Sequence, residues 1–175
     1  MSDPHASSSS SSTGSSVSMA GLEAMAQEVQ ATGPGEVTDQ FNQSLISTFR
    51  SSSGELSGDL AGSRILLLTT TGARSGRERT VPLGFVRTGG KTYIVASLGG
   101  RPENPAWYHN LVANPTVTVE LGPDRYQAEA VVLQGEERDR IFEIAGRKIA
   151  NFAAYQKRTS RVIPVIELRP LDQPA

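Results

Sequence analysis

The chain has 175 residues, enough for one domain with a single substantial core, and its formal net charge is −1. It has no cysteine and only two histidines, His5 and His109, which excludes disulfides, thiolate chemistry and a histidine-rich metal cluster, so no metal site is expected. The balanced charge argues against a general polyanion surface, no apolar run reaches the roughly 18 residues of a bilayer span, and the N-terminus lacks a secretory pattern, so a cytoplasmic protein is expected.

Ten of the first eighteen residues are serine. Such a segment has nothing to bury, and residues 1–18 read as a disordered tail. Met19, Leu22, Met25 and Val29 then recur at intervals of three and four, which predicts an amphipathic helix ended by Gly33-Pro34-Gly35. This helix either packs on the rest of the fold or associates weakly with a membrane surface, peripheral to the bilayer. Glu23 and Glu28 on its polar face disfavour the second reading. Thr38 is expected to cap a second helix with Phe41, Leu45 and Phe49 on its apolar face. Ser51 to Gly54 stops that helix, and Gly54 to Gly62 reads as a loop. Residues 19–62 are therefore an N-terminal helical segment, 63–170 the main unit, and 171–175 a second tail.

The next elements are antiparallel β structure. Arg64 to Thr70 is a strand whose continuous apolar run implies burial on both faces. Arg79 to Arg87 follows, and Thr88-Gly89-Gly90 has hairpin-turn chemistry. Lys91 to Leu98 returns and ends at Gly99-Gly100. A short helix follows, with Asn104 as N-cap and Pro105 in its first turn, before Asn114-Pro115 ends it. Thr116 to Leu121 and Arg125 to Leu133 form a hairpin about Gly122-Pro-Asp124. Glu136 to Ala154 is the longest helical pattern, with Ile141, Ala145, Ile149 and Phe152 on one stripe, and Arg161 to Leu168 is a last strand. Six short strands with few helices predict a mainly β (α+β) fold, a small antiparallel barrel.

Positive charge is concentrated. Between Arg64 and Arg101 there are seven basic residues and one acid, Glu78, so this stretch carries +6 and the rest of the chain −7. At its centre, Thr69 to Pro82 holds Gly72, Gly76, Arg74, Arg77 and Arg79. A strand, a tight turn and a second strand here would present N–H and guanidinium donors to an anion, or would be a solvated basic hairpin. The chain has no P-loop, dinucleotide fingerprint or nucleophile elbow. Phe85 and Tyr93 are the only aromatics of the basic stretch, too few for the stacking of a nucleic-acid binder. Trp107 and Tyr108 suit either packing or a ligand wall. His109 reads as a surface or capping residue, and Tyr155 as a partly exposed tyrosine or a proton donor.

Three stretches in order, Leu67 to Arg77, Ala96 to Gly100 with Asn104 to Leu111, and Ala113 to Val117, resemble the deazaflavin (F420)-dependent nitroreductase family of split β-barrel F420H2-dependent oxidoreductases. The resemblance runs from about Phe41 to Pro170. It implies a split antiparallel β-barrel with a few flanking helices, and coenzyme F420, a deazaflavin with a phosphate and an acidic polyglutamyl tail, as cofactor. By position, Ala73, Arg74, Ser75 and Arg79 would hold phosphate or tail. Thr80, Val81, Pro82, Leu83 and Gly84 would line the ring's path, and Val95, Ala96, Ser97 and Leu98 would meet the ring. Ala106, Trp107, Tyr108, His109 and Asn110 would wall the opposite side, and Phe152 and Tyr155 would close the substrate side. Leu98 stands where relatives often have lysine, and Phe152 where tyrosine is common, which leaves Tyr155 and Ser97 as the catalytic candidates for proton donation. The function implied is hydride transfer from the reduced deazaflavin to an electron-poor small-molecule acceptor, a quinone, activated alkene or nitroaromatic. A monomer is expected. The alternatives are an FMN-dependent oxidoreductase on the same barrel and a non-catalytic deazaflavin carrier.

Overall fold

The computed structural model describes residues 17–149 and 151–171. Most of the serine-rich tail, His5 and residues 172–175 lie outside the described residues. Seven strands, β1 (Ile65–Thr71), β2 (Glu78–Gly84), β3 (Val86–Thr88), β4 (Lys91–Val95), β5 (Thr116–Leu121), β6 (Asp124–Val132) and β7 (Val165–Pro170), form one antiparallel sheet in the order β2-β1-β5-β6-β7-β4-β3. The run expected as one strand, Arg79–Arg87, is two. Gly84 is the last residue opposite β1 and Val86 the first opposite β4, so only Phe85 separates the two outer edges of the sheet. The chain passes from one edge to the other within that single residue, and this is possible only if the sheet is curled into a split barrel.

The unbroken apolar run of β1 is explained by its two faces. Leu66 and Leu68 enter the barrel core with Ile94, Leu111, Val117, Val119, Ile166 and Leu168. Leu67 points the other way, onto Phe41, Leu45, Phe49, Leu56 and Leu60 of the N-terminal segment. All three leucines are fully buried. A third cluster, with Tyr93, Val95, Ile141, Ala145, Phe152, Ile163 and Val165, lies under the C-terminal helices.

Among the described residues five α-helices flank the barrel: α1 (Met19–Thr32), α2 (Glu36–Ser51), α3 (Ala106–Ala113), α4 (Gly135–Lys148) and α5 (Phe152–Lys157). Several expected boundaries shift, each because a side chain has another partner. Thr38 lies inside α2, and its hydroxyl donates to Glu28 Oε2 at 2.7 Å. The same carboxylate accepts the Thr38 N–H at 2.6 Å and the Val37 N–H at 3.3 Å. Glu28 of α1 thus satisfies the free N–H groups at the start of α2, as a capping side chain would. Asn104 accepts from Arg161, and Pro105 takes the N-cap position of α3. The helix expected over Glu136–Ala154 ends at Lys148, with Ile149 extended, and resumes at Phe152. Tyr155 is therefore within α5. β4 ends at Val95, and β7 starts only at Val165, because Pro164 has no N–H for the ladder.

The Thr38 hydroxyl, then the backbone N–H groups of Thr38 and Val37, hold the Glu28 carboxyl below the usual carboxylate range. A depressed folded-state value means that this contribution is complete above the unfolded-state value and is lost as pH falls through the folded one. Glu28→Gln should therefore lower the melting temperature at neutral pH, and the difference from wild type should vanish in acid. Melting curves that differ equally at pH 7 and pH 3 would refute this account of the junction.

Candidate active site

The basic stretch folds as expected into a tight loop between β1 and β2. The Gly72 N–H donates to the Arg77 carbonyl at 2.7 Å and the Gly76 N–H to the Gly72 carbonyl at 3.0 Å, while Ser75 Oγ accepts the Arg77 N–H at 3.2 Å. Gly76 has φ +67°, a left-handed conformation that favours glycine. Arg74, Arg77 and Arg79 are exposed, and among the described residues none has a carboxylate partner. Three exposed guanidiniums on one tight loop form a donor set suited to a multiply charged anion.

Asn110 of α3 fixes this loop to the barrel. Its Oδ1 accepts the Ala73 N–H at 3.0 Å, and its Nδ2 donates to Thr70 Oγ1 at 3.2 Å. Asn114 Nδ2 reaches the Thr71 carbonyl at 3.4 Å. The expected ligand residue Asn110 is thus also a structural brace. His109 is exposed, edge-on to Tyr108 with ring centroids 5.7 Å apart, and Ala106 is exposed as well.

A cavity of about 210 Å³ lies between α1, the start of α3 and α5. Leu83, Val95, Ser97, Leu98, Trp107 and Tyr155 line it, together with Met25, Ala26, Val29, Gln30, Gly99 and Pro105. It therefore gathers residues expected for the ring, the opposite wall and the substrate side. Strand alternation divides the β2 set: Val81 and Leu83 pack toward the barrel core, whereas Thr80 pairs with Thr69, Oγ1 to Oγ1 at 2.7 Å, on the other face. Pro82 is on the face of Thr80, and Gly84 is exposed. Phe152 is buried beneath Tyr155, with ring centroids 6.5 Å apart, and does not line the cavity. Ala96 is fully buried beside it. A larger cleft of about 890 Å³ opens elsewhere, around Arg87, Lys91, Tyr126 and Glu167, and holds none of the expected ligand residues.

The α1 wall was not read from the sequence as part of the site. Its signal was present in the Met19–Val29 stripe, but periodicity shows that a face is apolar and not what it covers. Arg101 fastens this wall by donating to the Gln30 carbonyl at 3.3 Å and the Val29 carbonyl at 3.5 Å, and it also pairs with Glu103. Leu98, which lines the cavity, adopts φ +44°, a left-handed conformation that costs a non-glycine residue about 1–3 kcal/mol.

A sequence model described as F420H(2)-dependent quinone reductase matches residues 42–170. The chain belongs to the F420H(2)-dependent quinone reductase family. An F420H(2)-dependent quinone reductase of Mycobacterium tuberculosis (strain H37Rv) is 42% identical over 124 residues, covering 69% of this chain and 83% of that protein. Among solved structures, an F420-H2-dependent reductase (FDR-A) is 45% identical with a TM-score of 0.57, covering 61% of this chain and 94% of that one. A second, described as a domain-swapped dimer, is 40% identical with a TM-score of 0.59, covering 73% and 93%. The heme storage protein HutZ of Vibrio cholerae, 16% identical with a TM-score of 0.50, shares the fold alone. As a member of the F420H(2)-dependent quinone reductases, the protein is an F420-dependent oxidoreductase on a split barrel. No described helix is long and apolar enough to cross a membrane.

Proposed function

We propose that the protein reduces a flat, apolar quinone-type acceptor held in the α1–α3–α5 cavity against the deazaflavin ring. When bound, the reduced cofactor supplies the hydride, and the protein supplies orientation and electrostatics. Ala73, Arg74, Ser75 and Arg79 hold the phosphate and acidic tail. The Val95–Leu98 segment seats the ring, and Trp107 and Tyr108 wall it. Met25, Val29, Leu83 and Pro105 give the acceptor an apolar enclosure, while the Ser97 and Tyr155 hydroxyls are the groups that can hold or deliver a proton. The observation that carries this reading is the convergence of Ser97, Trp107 and Tyr155 on one apolar cavity in a barrel whose β1–β2 loop bears three arginines with no carboxylate partner among the described residues.

The test is to mix the purified protein with reduced deazaflavin and menadione and follow the recovery of deazaflavin absorbance. Binding without turnover across several quinones would favour a carrier, and preferential binding of FMN would favour the flavin rival. Tyr155→Phe should lower turnover by on the order of a hundredfold, the low end of general acid catalysis, with little change in cofactor affinity. An equal rate would remove Tyr155 from proton delivery.

In this reading α1 is a wall of the site and not a membrane anchor, since Leu22 and Met25 pack on the N-terminal core and Met25 and Val29 line the cavity. A monomer is the proposed solution state, each strand finding its partners within one chain. Light scattering at twice the chain mass would instead align it with the domain-swapped neighbour.

A further inference from the structure

Arg161 belongs to none of the motifs that point to the cofactor, yet it grips the segment at the centre of the site. Its Nε donates to the Arg101 carbonyl at 2.9 Å, and its Nη2 to the Ser97 carbonyl at 2.8 Å. Its Nη1 donates to the Ala96 carbonyl at 3.2 Å and to Asn104 Oδ1 at 2.8 Å. All four acceptors are neutral. Among the described residues two other arginines are not exposed, Arg101 and Arg138, and each has a carboxylate, Glu103 and Asp139. Arg161 has none within salt-bridge distance among the described residues.

A half-buried cation held only by amide dipoles is costly relative to a paired one. Burial pulls the Arg161 guanidinium below its ordinary value, opposed by the more distant Glu103, but guanidinium stays charged in proteins. The carbonyls it grips belong to both ends of a six-residue turn, Ala96 to Arg101, whose middle lines the cavity and contains the strained Leu98. The other charged or titratable groups about this turn are Glu103, already paired with Arg101, Tyr155 across the cavity, and Arg158, whose guanidinium lies 5.8 Å from the Tyr155 ring centre.

We propose that Arg161 is the positioning residue of the ring site: it clamps the Ala96–Arg101 turn at both ends and sets a positive charge, with no carboxylate within salt-bridge distance, behind the Ala96–Ser97 backbone, where it favours the anionic form of the deazaflavin ring. This rests on the ring placement proposed above. A fixed cation close to an acidic ring proton favours the ring's anion, so a ring seated against this turn would become more acidic.

The test is spectroscopic and needs no turnover. The ionisation of oxidised deazaflavin is followed by absorbance against pH, free and bound to wild type, R161Q, R161M and R161K. The bound ring should ionise at least tenfold more readily than the free one in wild type. R161Q and R161M should lose most of that difference, and R161K should keep it while melting at a lower temperature, because lysine retains the charge but not the fork. No acidification in wild type, no change in either neutral variant, or an equal loss in R161K would each overturn the proposal. Trp107→Ala separates the two readings: if cofactor affinity is unchanged in that variant, the ring placement fails, whereas weakened affinity with an unaltered ionisation in R161Q defeats the role of Arg161 alone.

Discussion

Replacing Arg74 and Arg79 by alanine should weaken cofactor binding by about 1.5–3 kcal/mol for each residue, the range for hydrogen bonds to charged groups. This amounts to roughly tenfold to over a hundredfold per arginine. Both side chains are exposed and have no carboxylate partner among the described residues, so removing them strands no described buried partner and should leave folding intact. The loss should shrink as salt is raised, because screening already weakens exposed contacts in the wild type. Fluorescence titration at low and high ionic strength checks both points. Unchanged affinity in the double variant would remove the loop from the site.

The second large effect is on stability. Gly100 has φ +79°, and a Cβ there would lie 2.6 Å from the Tyr155 carbonyl oxygen, 3.0 Å from Arg158 Cβ and 3.1 Å from Tyr155 Cα. Two of these atoms are backbone of α5, which cannot yield without moving the helix. Gly100→Ala combines about 1–2 kcal/mol of left-handed strain with about 1–3 kcal/mol of overpacking. The expected loss is therefore about 2–5 kcal/mol in denaturant unfolding. Because the displaced element carries Tyr155, turnover should fall even at temperatures where the variant is folded. A variant as stable as wild type would mean that α5 slides freely on the Leu98–Gly100 turn.

The β elements and the anion loop were legible because their signals are local. Glycines at the turn positions, the apolar run of Ile65–Leu68 and the clustering of arginines around Gly72 and Gly76 each act within a few residues. The resemblance pointed to the Val95–Leu98 segment, and the structure brings Val95, Ser97, Leu98, Trp107 and Tyr155 around one cavity. What escaped the sequence is long-range partner choice. Thr38 looks like a cap until Glu28 takes its hydroxyl, and Asn104 looks like one until Arg161 takes its amide. The stripe from Ile141 to Phe152 suggests one helix, because a periodic pattern does not record a break that turns Phe152 inward. Gly84-Phe85 looked like the middle of a strand because nothing in those two residues states that their neighbours pair with opposite edges of a sheet.

That edge-to-edge crossing bears on how the protein is made. β4, which leads directly into Ala96 and Ser97, pairs only with the short β3 and with β7. A ribosome delivers β7 some seventy residues after β4. Until then the hairpin of β3 and β4 has no other strand to pair with, and a lone hairpin is marginal in water. The Ala96–Ser97 segment is thus among the last parts of the barrel to be seated during synthesis. A chain cut before Val165 would lose the seating of the Ala96–Ser97 segment while retaining every residue proposed for the site.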